Sequence, residues 1–403
     1  MRKIDLNDFR VATSETARDI NRRIVLNLIR KHQPVSRADL SRHSGLQRST
    51  VSAITEELIS GRWVTEGAVN DLPRGRKPTF LHLNSQRAGI FGINVRPCIT
   101  NMALANLDGR FLVQETMPTP PTPEEFVEQV SQRIRDLTSQ HPDMAYEGIG
   151  VSLPGRIDLS SQRFVFAPNL GWEREDLKQQ LETATGLPVE LENEANACAL
   201  SEFWFGHHSE GVRNLIAVAV SEGIGVGMVL NGQLVRGPSG LAGEFGHISI
   251  NENGPKCACG NHGCWEVYAS NTSALRFYND KTPGRARKGL GSRQPVAADF
   301  DELIKQAEHG NPKAGEAIDR MAHHLGTGMA MLVTGLAPDV IVVVGELTRL
   351  WDRVEPIISA EIRSRSFTHA TTRVIASGPA PMPRLRGIIA LVLQKRFGAP
   401  MIA

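Results

Sequence analysis

Long apolar runs are missing from this 403-residue chain, and no stretch is apolar enough to span a bilayer as a helix. A signal-peptide core is missing as well, since Met1 to Arg30 interleaves charged and apolar residues. The expectation is a cytoplasmic protein without a membrane segment. Cysteine is scarce, and its five copies are an odd number, which argues against a disulfide framework. Net charge is nearly absent at +2, yet it is unevenly spread: residues 1–83 carry 15 Lys and Arg against 9 Asp and Glu, the remainder 30 against 34. A basic front end on an acidic body points that front end towards a polyanion. The length exceeds what one hydrophobic core sustains, so two or three domains are expected.

The front end has the punctuation of a helix-turn-helix. Ile20, Ile24 and Leu28, flanked by Val25 and Ile29, recur at helical spacing until Pro34. Ser36 is placed to cap a second helix over 37–43 with Leu40 inward, and Gly45 makes the turn. A third helix over about 47–60 turns Val51, Ile54 and Leu58 to one face. Its first turns offer Gln47, Arg48, Ser49, Thr50 and Ser52, all able to reach base edges or phosphates in a major groove. A generic three-helix bundle is the plainer alternative. Extended segments then start at Trp63-Val64 and return through Phe80, Leu81 and Leu83, with Arg74, Gly75, Arg76, Lys77 and Pro78 between them. A cationic hairpin tip suits entry into a narrow minor groove, the alternative being a solvated basic loop. The expected partner is double-stranded DNA.

Three of the five cysteines crowd together. His247, Cys257, Cys259 and Cys264 place one imidazole and three thiolates within 18 residues, with Gly254, Gly260 and Gly263 allowing tight turns. Four N/S ligands in a tetrahedron suit a closed, structural zinc site, one Zn²⁺ per chain. His262 competes with His247 as the nitrogen ligand.

A series of segments follows in order: Leu153-Pro154-Gly155, Ala167-Pro168-Asn169-Leu170-Gly171-Trp172, Glu192-Asn193-Glu194-Ala195-Asn196, Gly223-Ile224-Gly225-Val226-Gly227, Leu241-Ala242-Gly243-Glu244-Phe245-Gly246-His247 and Gly263-Cys264-Trp265-Glu266. In these the chain resembles the ROK family, which groups bacterial sugar kinases with sugar-responsive repressors. The resemblance implies a two-lobed α/β actin-like ATPase fold with sugar bound between the lobes, and His247, Cys257, Cys259 and Cys264 as the zinc ligands. The expected division is a winged helix-turn-helix over 1–83, a first lobe over 84–196 completed by a C-terminal helix in 385–403, and a second lobe over 197–384 holding the metal. The sugar contacts it implies are Gly155, Asn169, Asn193, Glu194, Glu244, His247 and Glu266. Their chemistry fits, because a sugar needs convergent amide, carboxylate and imidazole partners, and Gly155 leaves room for close backbone approach.

Measured against the family's kinases, the nucleotide side departs. Asn94, Arg96 and Pro97 stand where a carboxylate and glycines would meet phosphate, and Pro97 has no N–H to offer. Glu222 puts a carboxylate where a hydroxyl is expected, and Glu346-Leu347 follow Gly345 in place of more glycine. Glu194 occupies the general-base position one methylene longer than aspartate. The expectation is a repressor of carbohydrate genes without catalytic residues, binding its operator as a homodimer or tetramer and a sugar or sugar phosphate in the cleft. The alternatives are an ATP-dependent sugar kinase and a regulator controlled by a protein partner. A basic insertion over 281–293 reads as a loop, and Ile388, Leu391 and Val392 mark the C-terminal helix, about 385–397, which by resemblance packs on the first lobe.

Overall fold

The computed structural model describes residues 14–67, 79–158, 163–166, 170–172, 176–206, 208, 211–237, 240–279, 299–366, 371–378 and 382–397. The hairpin tip 74–78, Asn169 and the insertion 281–293 lie outside the described residues. No helix among those described is long and apolar enough to cross a membrane.

The N-terminal elements are α1 (Ser14–His32), β1 (Val35–Ser36), α2 (Arg37–Ser44), α3 (Arg48–Ser60), β2 (Val64–Gly67) and β3 (Phe80–Leu83). Ser36 and Asp39 cap α2 reciprocally, each side chain accepting the other's backbone N–H, and Gly45 closes the helix at φ 72°. Leu40, Val51, Ile54 and Leu58 are buried together, as their spacing predicts. The three short strands form a sheet in the order β1-β3-β2. Arg37 ties this sheet to the helices, with Nη1 2.6 Å from Glu66 on β2 and Nη2 2.8 Å from Glu56 on α3.

The body contains β4 (Ala88–Val95), β5 (Ile99–Asn106), β6 (Phe111–Pro118), α4 (Pro123–Gln140), β7 (Ala145–Leu153), β8 (Arg156–Asp158), β9 (Arg163–Phe166), α5 (Leu177–Thr185), β10 (Val189–Asn193) and α6 (Glu194–Phe205). It continues through β11 (Leu215–Val220), β12 (Ile224–Leu230), β13 (Gln233–Leu234), α7 (Glu266–Ala269), α8 (Asn271–Tyr278), α9 (Phe300–Glu308), α10 (Pro312–Leu336), β14 (Val340–Val344), α11 (Trp351–Arg365), β15 (Arg373–Ala376) and α12 (Pro383–Phe397).

Two five-stranded sheets repeat one topology. The first has the order β10-β7-β4-β5-β6 and the second the mirrored listing β13-β12-β11-β14-β15. In each, the first three strands form an antiparallel meander and the next two add in parallel on the other side. The central strands β4, β11 and β14 are buried along their whole length, so they read as continuous apolar runs. Edge strand β6 alternates half-buried and exposed residues instead. Helix α6 runs unbroken through residue 196 and packs on both sheets.

Helix α12 returns to the first sheet and lies beside α6 and strands β4 and β7. Its Ile389, Val392, Leu393 and Phe397 share one apolar cluster with Val25, Ile29, Leu40 and Leu58 of the N-terminal helices. A fully buried side chain of this size is worth about 1.5–3 kcal/mol, so the N-terminal unit is fastened to the body by a common core. This corrects the sequence reading of α1. Val25, Leu26 and Ile29 are its buried face, while Ile24 is 38% exposed, because the helix must meet α12 as well as α2 and α3.

Candidate metal centre and interlobe cleft

His247 ends a short 3-10 turn, Glu244–His247, and Cys264 sits just ahead of α7. The knuckle between them is drawn in by isolated bridges from Ser249 to Cys264 and from Lys256 to His262. Four ligand atoms of His247, Cys257, Cys259 and Cys264 lie within 4.8 Å of one another. His247 Nδ1 is 3.6 Å from Cys257 Sγ, and Cys259 Sγ is 3.7 Å from Cys264 Sγ. A tetrahedral ion with metal–sulfur bonds of about 2.3 Å sets sulfur–sulfur edges of roughly 3.8 Å. The four groups therefore fit a metal ion. Without a cation, burial and the neighbouring sulfurs push the Cys264 thiol up to about 12. His262 is exposed and faces Gly254 O at 3.3 Å, apart from the cluster.

The remaining polar residues flank β12. On one side, Asn193 caps α6 by accepting from Ala195 N at 2.8 Å and donates to Gly155 O at 2.8 Å. Its amide thus holds the Gly155 turn to the start of α6. Glu194, the next residue, pairs with Arg384 of α12, Nε to Oε2 2.9 Å. On the other side, Glu244 Oε2 lies 3.9 Å from His247 Nε2, the nitrogen turned away from Cys257. Glu266 links the metal cluster to the Gly223 turn, accepting from Ile224 N at 3.2 Å with Oε1 3.8 Å from Cys257 Sγ.

Buried Glu192 joins the two sides. Its carboxylate accepts from Asn193 N and Asn196 Nδ2, and from Arg236 Nε at 2.7 Å. Arg236 opens the segment that leads to Glu244, its carbonyl accepting from Ala242 N. Arg236 and Arg384 stand in none of the segments that mark the site in the sequence, and Glu192 stands in one without a site role. Nothing local marks them, because each is defined by a partner distant in the chain.

The two loops that depart from phosphate binding meet each other. Arg96 Nη2 is 2.9 Å from Glu222 Oε1, a contact 126 residues apart. The carboxylate that stands in place of a hydroxyl thus has a cationic partner. Partial desolvation of this largely exposed side chain opposes its charge, but a backbone hydrogen bond, Arg96 and Arg384 hold its carboxyl below the usual range. Asn94 is buried and accepts from Ser152 Oγ at 2.7 Å, so its amide oxygen is already engaged. Asn271 Nδ2 donates to Glu346 Oε2 at 3.1 Å, drawing the turn after β14 towards Ser221.

On the N-terminal unit, Gln47, Arg48 and Ser49 are exposed at the start of α3, with Thr50 and Ser52 half-buried. Arg74, Arg76 and Lys77 lie outside the described residues, as does Asn169.

A duplicated α/β body of two like sheets, with polar residues gathered between them, is a two-lobed actin-like fold of the sugar-kinase type, here behind a helix-turn-helix. The chain belongs to the ROK family, which matches residues 91–395. It is 32% identical over 361 residues to the xylose repressor of Bacillus subtilis (strain 168), covering 89% of this chain and 90% of that protein. Among solved structures it is similar to a ROK family transcriptional regulator described as a homolog of the E. coli MLC protein. That likeness has a TM-score of 0.80 at 25% identity, covering 94% of this chain and 98% of the other. A ROK family glucokinase from Streptomyces griseus, solved with glucose and AMPPNP, matches at TM-score 0.65 and 28% identity. It covers 75% of this chain and 99% of the kinase. The family match begins at residue 91, beyond α1–α3 and β1–β3.

Proposed function

We propose that this chain is a sugar-responsive transcriptional repressor whose helix-turn-helix grips operator DNA while a sugar bound between the lobes changes that grip. The observation that carries this reading is the shared core. Helix α12, whose first turn pairs with cleft residue Glu194, ends with Phe397 buried among the N-terminal helices. Two states of the cleft can then differ in how α1–α3 are held, which is what ligand control requires.

Gly155, Asn193, Glu194, Glu244, His247 and Glu266, with Asn169, form the sugar site. The metal is a single structural Zn²⁺ held by His247, Cys257, Cys259 and Cys264. It fixes His247 through Nδ1, leaving Nε2 beside Glu244 for a hydroxyl. Pro97, without an N–H, and the Glu222 carboxylate stand where nucleotide phosphates would be received, so the protein regulates without phosphorylating. Operator binding uses two subunits, because one helix-turn-helix supplies too little contact for a specific site.

Two outcomes test this. Selection of genomic fragments, followed by anisotropy titration, should give an operator whose affinity shifts at least fivefold with one member of a panel of monosaccharides and their phosphates. The same panel with MgATP should release no ADP above background. Operator affinity indifferent to every sugar would sink ligand control. In a second test, Arg48→Ala should weaken operator binding about 10- to 100-fold, the effect of losing a base or phosphate contact worth about 1–3 kcal/mol. Unchanged binding would place the groove contacts elsewhere.

A further inference from the structure

Arg384 is a buried charge beside Glu194 that the site residues leave unexplained. It lies in the first turn of α12 and is 9% exposed. Its Nε is 2.9 Å from Glu194 Oε2, but the N–H is not aligned to donate to that oxygen or to any other described acceptor. Burial opposes the guanidinium charge, and Glu194, Cys198, Glu346 and Glu222 outweigh it, raising its pKa further above the ordinary arginine value. The pair is thus matched in charge and incomplete in hydrogen bonding.

What lies behind the pair gives it reach. Glu194 opens α6 and Arg384 opens α12, and the helices run side by side. At 1.5 Å per residue they are rods of about 18 and 22 Å. Both end at α1. Arg30 lies 4.6 Å over the Trp204 ring of α6 and 5.8 Å over the Phe397 ring of α12. Asn27 donates to Phe397 O at 2.6 Å, and Trp63 meets the Phe397 ring edge-on.

The geometry points to Arg384 as an effector-binding residue for an uncharged sugar, and to α12 as the element that carries its rearrangement to α1 and the DNA-facing helix. The proposal rests on the reading of the cleft as a sugar site. When the sugar binds, the pair parts enough for a hydroxyl to accept from the Nε–H, which is buried and unpartnered here, and to donate to the Glu194 carboxylate. A phosphate monoester does not fit this place, since it brings a further anion against Glu194, Glu222 and Glu346.

The test uses the full chain, calorimetry for sugar and anisotropy for operator. The probes are free aldopentoses and aldohexoses and their terminal phosphates. The wild type should bind one free sugar at least 100-fold tighter than its phosphate. Arg384→Met should weaken that sugar at least tenfold and bring the ratio of operator Kd with and without sugar towards one. Arg384→Lys, which keeps the charge without an Nε–H, serves if the methionine variant does not fold. Arg30→Met, at the far end, should keep sugar Kd within threefold and cut the operator ratio at least threefold. A tighter phosphate, or Arg384 variants with wild-type sugar affinity, overturns the assignment of Arg384. An unchanged operator ratio in the Arg30 variant overturns the relay. A wild type that binds neither class removes the sugar reading and this proposal with it.

Discussion

Replacing Cys264 with serine is expected to lower the melting temperature by about 10 °C or more, and stripping the metal from wild-type protein should do the same. Cys264 is fully buried, and its neighbours in the chain are structural on both sides. Trp265 is fully buried with Nε1 donating to His324 O at 2.9 Å, and Glu266 holds the Gly223 turn through Ile224 N. Losing one ligand therefore loosens the wall of the second lobe, beyond the exposed knuckle. Structural zinc supplies folding free energy directly, about 10–16 kcal/mol in small zinc peptides. In a lobe with its own core only part of this is at stake. A loss of about 3–5 kcal/mol at about 2–4 °C per kcal/mol gives the expected shift. Elemental analysis alongside calorimetry checks both halves: about one zinc per chain in the wild type and none in the variant. A metal-free wild type melting within about 2 °C of the holo form would falsify a structural role.

The His247, Cys257, Cys259 and Cys264 cluster and the buried and exposed ion pairs of the body share one physical logic. Glu192–Arg236, Arg96–Glu222 and Glu194–Arg384 each join segments far apart in the chain. They differ in exposure. The Glu222 side chain is 70% exposed, so its pair with Arg96 is screened and contributes little stability. Glu192 is 2% exposed and takes two further hydrogen bonds, so removing Arg236 would leave a buried charge unpaired. The exposed pair is suited to opening with the cleft, and the buried pair to keeping Glu244 and Asn193 in register while it does.

What could be read in the sequence was what is local. The cap at Ser36, the turn at Gly45, the buried strip Val51-Ile54-Leu58 and the three crowded cysteines each depend on residues within one turn or knuckle, and each appears as spacing predicts. The family segments carried the two-lobed fold, because backbone turns at Gly155 and Gly243, at φ 93° and 107°, favour glycine whatever surrounds them. Partnership was not legible. The buried face of α1 is rotated from the Ile20-Ile24-Leu28 stripe because part of its partner is α12, at the other end of the chain. Arg384 gave no sign either: an arginine ahead of an apolar helix has the same local appearance whether it meets water or Glu194.

Gly387→Ala is the sharpest test of the α6–α12 contact, because two effects of opposite sign compete there. In an exposed helix interior alanine is favoured over glycine by about 1 kcal/mol. Here a Cβ would lie 1.6 Å from Ala197 O and 2.4 Å from its carbonyl carbon. Those atoms are α6 backbone and have no rotamer in which to escape, so the helices must part by more than an ångström. Overpacking of a tight core costs about 1–3 kcal/mol, and contact with backbone belongs at the upper end. The steric term wins, and the variant should melt about 5–10 °C lower. Function should suffer in the same place. Separation of α12 from α6 stretches Arg384 away from Glu194 and draws Phe397 out of the pocket formed by Asn27, Arg30 and Trp63. Hydrogen exchange should accordingly rise along α1 and α12 while α10 keeps its protection. A variant as stable as wild type, or one that loosens evenly throughout, would show that these two helices are not the close-packed strut on which the regulatory reading depends.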